Sequence, residues 1–442
     1  MLQIFATQIW WTVAKSSSNL GSYFNIISRG YRASRAMILA QWAAGFCAVA
    51  TSIHLATIAI AGLRCRCRNS PRAVPSPAPP VTVLRPVCGT EPFVGEALSS
   101  SFQLDYAPYE IIFCVARAND PVVPIVRGLI DFHPQVPAQL LIGDERISAN
   151  PKLNNLLKGW AAARHPWIVI ADSNVVLARD SLQRLLGRWR EDSGVVCSMP
   201  LASRPGNFWA ELECAFLNTL QARFQYVSEA FGFGFAQGKT MLFRRDLVER
   251  AGGIRALAAE TAEDAATTKV VRALGRRVHL VDTPFDQPLG RRGAAEVWAR
   301  QLRWARLRRM SFPLLFLPEV LMGSALPSLA LAFAGATYGV SVPGALGGLA
   351  IIWFGAEAAL AWWAGWRLSP RMIVAFVIRD LVLPILWVAA WIGDDFVWRG
   401  NGMRAERRSD LVKSPEFAGF ARRRYRTKLA MLPARKHIEP IR

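Results

Sequence analysis

Histidine is scarce in this sequence, cysteine is scattered and acidic side chains are outnumbered, and each shortage closes off a class of protein. The 5 histidines form no metal cluster and no triad, with His165 reading as a loop residue and His279 as a strand residue. The 7 cysteines lack paired metal-ligand spacing, and Cys65 and Cys67, the nearest pair, stand among arginines just beyond an apolar segment. Neither a disulfide framework nor a zinc site follows. Asp and Glu number 32 against 53 Lys and Arg, a formal net charge of +21. In a soluble chain that balance points to nucleic acid. Here 52% of the 442 residues are hydrophobic, 16 of them Trp, which is too apolar for an ordinary soluble enzyme. Basic excess beside long apolar runs points instead to an anionic lipid surface, with no nucleic acid partner.

Residues 37–63 carry no formal charge and are long enough to cross about 30 Å of hydrocarbon. Arg29, Arg32 and Arg35 precede this span and Arg64, Arg66, Arg68 and Arg72 follow it, so flanking charge leaves the orientation open. Residues 1–36 show no strong pattern and read as a surface segment or as the product of a start codon placed too early. The run lies too far from Met1 for a cleavable signal peptide. Within 312–394 three further apolar stretches follow, Phe312 to Val340, Val342 to Trp366 and Met372 to Gly393. They carry Glu319, Glu357, Arg379 and Asp380, which either face the protein interior or mark a functional path. The tail, 395–442, is basic and prefers the cytoplasm. The stretch broken by Pro313, Pro318 and Pro327 is therefore expected to be re-entrant or interfacial.

Between the apolar parts lie a basic Pro-rich linker, 64–80, and a segment, 81–311, that alternates short apolar runs with amphipathic sequence, as an α/β domain does. Strands are predicted at Val81 to Leu84, Glu110 to Val115, Gln139 to Ile142, Trp167 to Ala171, Gly194 to Ser198 and Val278 to Val281. Ligands of such sheets bind beyond the carboxyl ends of the strands. Asp172 directly follows one run, with Asn174 two residues on. That pair suits a divalent cation, Mg2+ or Mn2+, beside a diphosphate, and equally suits a turn that caps the next helix. Asp120, before Pro121, is either a helix cap or an acceptor for a base or ribose. Glu263 and Asp264 open a helical stretch, where acids complement the helix dipole or supply a general base. Arg300, Arg303 and Trp304 fall on neighbouring helical positions in a segment that continues through Arg306, Arg308 and Arg309. It reads as an interfacial basic helix, as a diphosphate clamp, or as both.

Asp120, Asp172, Glu263-Asp264 and Arg300-x-x-Arg303-Trp304, in this order between membrane segments, resemble the ceramide glucosyltransferase family. The likeness extends through Val81 to Pro86, Leu104 to Tyr106, Asn150 to Leu156 and Ala251 to Gly253, and so over roughly residues 80 to 310. The resemblance implies a GT-A-type (Rossmann-like) α/β domain with N- and C-terminal transmembrane helices. It also implies a UDP-sugar donor, a membrane lipid acceptor, a divalent metal and transfer with inversion. By the same resemblance Asp120, Asp172, Lys152 and Asn154 are donor-binding, Asp172 lies near the metal, which its spacing to Asn174 lets the two share, and Asp264 is the general base. Arg300, Arg303 and Trp304 receive the leaving diphosphate and help form the acceptor site. Animal members that glucosylate ceramide carry histidine where this sequence has Gln221. Diacylglycerol and hopanoids therefore stand beside ceramide as acceptors.

A UDP-sugar donor requires a cytoplasmic catalytic domain, here at a bacterial inner membrane. Two rivals remain. A processive polysaccharide synthase makes a polymer rather than a monoglycosylated lipid. A membrane scaffold binds nucleotide without acceptor-dependent release of UDP.

Overall fold

The computed structural model describes residues 2–66, 77–398 and 401–404. Much of the expected linker and tail, 67–76 and 405–442, lies outside them. Helix α1 (Leu2–Arg66) precedes an alternation of β1 (Val81–Val87), α2 (Val94–Ser99), β2 (Tyr109–Val115), α3 (Val123–Phe132), β3 (Ala138–Ile142), α4 (Pro151–Ala162), β4 (Trp167–Ala171), α5 (Ser181–Gly187) and β5 (Ser193–Ser198). Next come β6 (Pro200–Pro205), α6 (Phe208–Ala215), a π-helical turn (Phe216–Ala222), α7 (Arg223–Ala230), β7 (Thr240–Arg244) and α8 (Arg245–Glu249). The domain ends with α9 (Glu263–Ala273), β8 (Arg277–Leu280), β9 (Phe285–Gly290) and α10 (Ala294–Ser311). The apolar part contains α11 (Pro313–Phe316), α12 (Ala325–Tyr338), α13 (Val342–Trp363) and α14 (Pro370–Trp391), followed by the antiparallel pair β10 (Asp395–Trp398) and β11 (Asn401–Arg404).

The chain divides into two compact units, Met1–Ala56 with Gly323–Glu357, and Thr57–Met322 with Ala358–Arg442. In the first, His54 Nε2 lies 3.0 Å from the Trp353 carbonyl oxygen and the two rings stack at 3.8 Å. Glu357 is buried in the same unit.

The second unit holds a seven-stranded mixed sheet in the order β3-β2-β1-β4-β7-β5-β8. Only β7 runs against its neighbours. Every residue of β1 and β2 is buried, as expected of parallel strands covered on both faces. Leu84 and Ile112 pack with Leu153 and Leu156 of α4 and Val270 of α9, while Val83 and Ile111 pack with Leu98, Val126 and Leu185 from α2, α3 and α5. This is the GT-A-type α/β class that the resemblance implied. All six predicted strands are present, but β6, β7 and β9 were not foreseen. Pro200, Pro205 and Pro288 lie in the parallel pair of β6 and β9, and proline argues against a strand when only sequence is read.

Ser34–Cys65, Val342–Trp363 and Pro370–Trp391 are long and apolar enough to cross a membrane. Pro313–Leu321 with Ala325–Tyr338 make a fourth if the broken pair counts as one span. Arg64, counted above as flanking charge, donates to Glu229 at 2.8 Å and to the Leu280 carbonyl at 3.0 Å, and pairs with Asp282. Its guanidinium therefore anchors the end of α1 to the sheet.

Buried Arg379 of α14 donates to Asp380 at 2.7 Å and, from Nη1, to the Ala215 carbonyl and Thr219 Oγ1 at 3.0 and 2.9 Å. The wide π-helical turn disturbs the regular ladder of backbone bonds, and Arg379 serves a carbonyl there. Glu319 pairs with Arg308 at 2.8 Å. Both pairings follow the structural alternative for these acids and bases. Arg379→Met takes the guanidinium from a fully buried Asp380 and is expected to cost about 3–5 kcal/mol. Thermal unfolding of the detergent-solubilised chain checks this, and an unchanged midpoint would contradict it.

Candidate active site

Asp172 begins where β4 ends. Antiparallel pairing of β4 with β7 aligns Ala171 with Thr240, so Lys239, just before β7, stands beside Asp172. The Asp172 N–H donates to the Lys239 carbonyl at 2.9 Å, and the Lys239 ammonium donates to Asp172 Oδ2 at 2.9 Å. It also reaches Asn174 Oδ1 at 3.3 Å. Asn174 in turn donates through Nδ2 to Glu91 Oε2 at 3.0 Å.

Lys152 approaches from the N-terminus of α4. The helix starts there because Asn150 Oδ1 accepts from the N–H groups of Lys152 and Leu153, with Pro151 pre-set for a first turn. Lys152 Nζ lies 2.6 Å from Asp172 Oδ1, 2.6 Å from Glu263 Oε1 and 2.5 Å from the Gly238 carbonyl. Burial alone would raise the Asp172 carboxyl, yet Lys152 and Lys239 outweigh it and hold the group well below the usual carboxylate range. Burial opposes the Lys152 charge too, but Asp172 and Glu263 keep the ammonium above its ordinary value. Lys239 is different. Desolvation draws it down, Arg300 adds to that, and Asp172 resists.

Glu263 and Asp264 open α9. Glu263 is held by Lys152 and by Asn150 Nδ2, which donates to Oε2 at 2.7 Å. Asp264, half-buried, accepts from the Ala265 N–H at 2.8 Å and the Gly238 N–H at 3.3 Å. Burial and then the neighbouring Glu263 carboxylate push its carboxyl up to about 6, against Lys152 and those two N–H groups. A Cβ at Gly238 would lie 2.7 Å from Glu263 Oε1 and 3.4 Å from Asp264 Oδ2. Gly238→Ala is therefore expected to displace Glu263 from Lys152 and to cost about 1–3 kcal/mol, read by thermal unfolding. A melting point equal to wild type would sink that expectation.

Arg300, Arg303 and Trp304 lie on α10. Arg300 Nε is 2.8 Å from Oε1 of fully buried Glu213, and its guanidinium sits 5.4 Å from the centre of the Trp304 ring. Gln221, in the π-helical turn, donates to Gln301 Oε1 at 3.3 Å and so stands beside this helix. Asp120 accepts from the Gly89 N–H at 3.0 Å and the Val122 N–H at 3.0 Å. It thereby ties the loop after β1 to the turn before α3, whose N-cap is Val122 and which has no side-chain cap. Asn154 accepts from the N–H groups of Ile147 and Ser148 and donates to the Ser148 carbonyl, each at 3.0 Å. Those bonds spend its amide on the loop before α4.

The structure therefore gathers Asp172, Asn174, Lys152 and Asp264 beyond the carboxyl end of the central strand β4. Lys239 and Glu91 received no role from sequence. The apolar run Met241 to Phe243 signals a strand after Lys239 but not the direction that places Lys239 beside Asp172. The donor set fits a hard divalent cation poorly. Such an ion takes several free oxygen ligands, whereas both Asp172 oxygens and the Asn174 oxygen already face ammonium groups. Among the described residues no group of three or more His, Cys, Asp or Glu is arranged to hold a metal ion.

The sequence model of glycosyl transferase family 21 matches residues 49–411. Ceramide glucosyltransferase 1 of Caenorhabditis elegans is 26% identical over 358 residues, 78% of this chain and 77% of that protein. A ceramide glucosyltransferase of Komagataella phaffii is 40% identical over 116 residues, 24% of this chain and 23% of that one. Among solved structures, a mannosyltransferase of Pyrobaculum calidifontis in complex with GDP-Man and Mn2+ has a TM-score of 0.45 and 20% identity. That likeness covers 79% of this chain and 98% of the other.

Proposed function

The chain belongs to glycosyl transferase family 21 and is a glycosyltransferase of the ceramide glucosyltransferase kind, and from that premise we propose that it transfers a sugar, glucose first, from a UDP-sugar to a membrane lipid hydroxyl, ceramide first. The observation that carries this reading is the meeting of Asp172, Lys152, Lys239 and Asp264 beyond the carboxyl end of β4, a carboxylate to take a proton beside cations for a phosphate.

In this reading the acceptor oxygen attacks the anomeric carbon from the face opposite the diphosphate, and Asp264 takes the hydroxyl proton. The bond from that carbon to the diphosphate oxygen breaks, its electron pair leaves with UDP, and the anomeric centre inverts. Arg300, Arg303 and Trp304 form the acceptor side and receive leaving charge. Asp120 and Asn154 contribute to the donor pocket by shaping its loops. A Mg2+ or Mn2+ ion, where bound, would supply Lewis-acid stabilisation of the diphosphate; the lysine pairing of Asp172 and Asn174 supports a transfer step written without it. The catalytic unit faces the cytoplasm, where UDP-sugars are made, at the inner membrane of a bacterium.

Gln221, hydrogen-bonded to Gln301 of α10, favours a second acceptor reading, diacylglycerol or a hopanoid, because it stands beside the acceptor helix where animal enzymes have histidine. Chromatography and mass spectrometry of membranes offered labelled UDP-sugars with ceramide, diacylglycerol or hopanoid test both. A monoglycosylated lipid is expected. A polymer would favour a processive synthase, and no acceptor-dependent product from folded protein would overturn the reading.

A further inference from the structure

Lys239, like Glu91, is a charged side chain of this site that the family motifs leave without a task. Its position is set by the backbone. The Asp172 N–H donates to its carbonyl at 2.9 Å, and the β4–β7 register then fixes which end of the sheet its side chain serves. A parallel β7 would have carried this residue to the opposite edge. Its ammonium lies 2.9 Å from Asp172 Oδ2 and 3.3 Å from Asn174 Oδ1, on the same two side chains proposed as cation ligands. The side chain retains 17% exposure, so one face stays open to a ligand.

We propose that the Lys239 ammonium, seated between Asp172 and Asn174, supplies the positive charge that a divalent cation would bring to the donor diphosphate, so that nucleotide binding and sugar transfer proceed without metal. This rests on the reading of the chain as a nucleotide-sugar transferase. Two features support it. Both Asp172 oxygens already face an ammonium group, Oδ1 that of Lys152 at 2.6 Å and Oδ2 that of Lys239 at 2.9 Å. A doubly charged ion placed on Asp172 and Asn174 would lie against a fixed ammonium, and like charges at that separation in a partly buried site repel strongly.

In chemical terms the sugar–diphosphate C–O bond breaks as the acceptor oxygen bonds to the anomeric carbon. The negative charge gained by the departing diphosphate is met by the ammonium through charge-assisted hydrogen bonds. The acceptor proton goes to Asp264, and Lys239 keeps its own.

Calorimetric titration of UDP and GDP into the full detergent-solubilised chain, in EDTA and in Mn2+, tests the inference. Wild type is expected to bind at least one nucleotide in EDTA within about threefold of its affinity in Mn2+. Lys239→Met is expected to weaken binding in EDTA by about 10- to 100-fold. Mn2+ is expected to restore much of that loss, because Asp172 and Asn174 are then relieved of the ammonium. Wild-type binding that vanishes in EDTA and returns with Mn2+ would overturn the inference and leave the transferase reading standing. So would a folded Lys239→Met that binds in EDTA as wild type does. Binding of neither nucleotide in either buffer would sink both. If Lys239→Met fails to fold, the wild-type comparison decides alone.

Discussion

Asp264→Asn is expected to lower lipid glycosylation by about 100- to 10,000-fold while nucleotide binding survives. The amide matches the carboxylate in shape and keeps an oxygen for the Ala265 N–H, which donates to Oδ1 at 2.8 Å. It cannot take a proton. The pH profile supplies a second and more specific readout. Burial and Glu263 push the Asp264 carboxyl up to about 6, against the pull of Lys152 and two backbone donors. A general base works only when unprotonated. In wild type, log kcat/KM should therefore climb with unit slope as pH rises toward about 6 and level off above it. The variant should lose that limb. An acid limb that persists in Asp264→Asn, or a variant as active as wild type, would remove Asp264 from the base role.

How much of this was readable from sequence depends on range. Trp167 to Ala171 announced itself as a buried strand, and Asp172 directly after it fell where α/β sheets hold ligands. Asn150 before Pro151 carries a helix start in its own chemistry, a local signal that the family match over Asn150 to Leu156 passed over. Lys239 needed something no local pattern contains, the direction of β7 relative to β4. Asn154 shows the reverse limitation. A match to a family stretch named the residue, while its bonds to Ile147 and Ser148 depend on how the preceding loop folds back. Arg64, counted in sequence only as a flanking charge, is met by Glu229, 165 residues away, a pairing that local reading does not contain.

Arg300→Ala is expected to lower kcat by about 100- to 1,000-fold, the usual loss when a donor to developing negative charge is removed. Its position gives it a second task that must be separated from the first. Glu213 is fully buried, with Arg300 at 2.8 Å from one oxygen and Arg292 at 3.6 Å from the other. Truncating Arg300 strips that acid of its nearer cation, so the single variant should also lose about 3–5 kcal/mol of stability. Glu213→Gln removes the buried charge. If Arg300 both neutralises Glu213 and meets the leaving diphosphate, the double variant Arg300→Ala with Glu213→Gln should regain most of the stability and none of the turnover. Unfolding and kcat measured on all four proteins give that comparison. Recovery of turnover with stability would make Arg300 a scaffold residue and hand the diphosphate to Lys239 and Lys152. Loss of turnover in a double variant as stable as wild type leaves charge at the reacting end of α10 as the remaining cause.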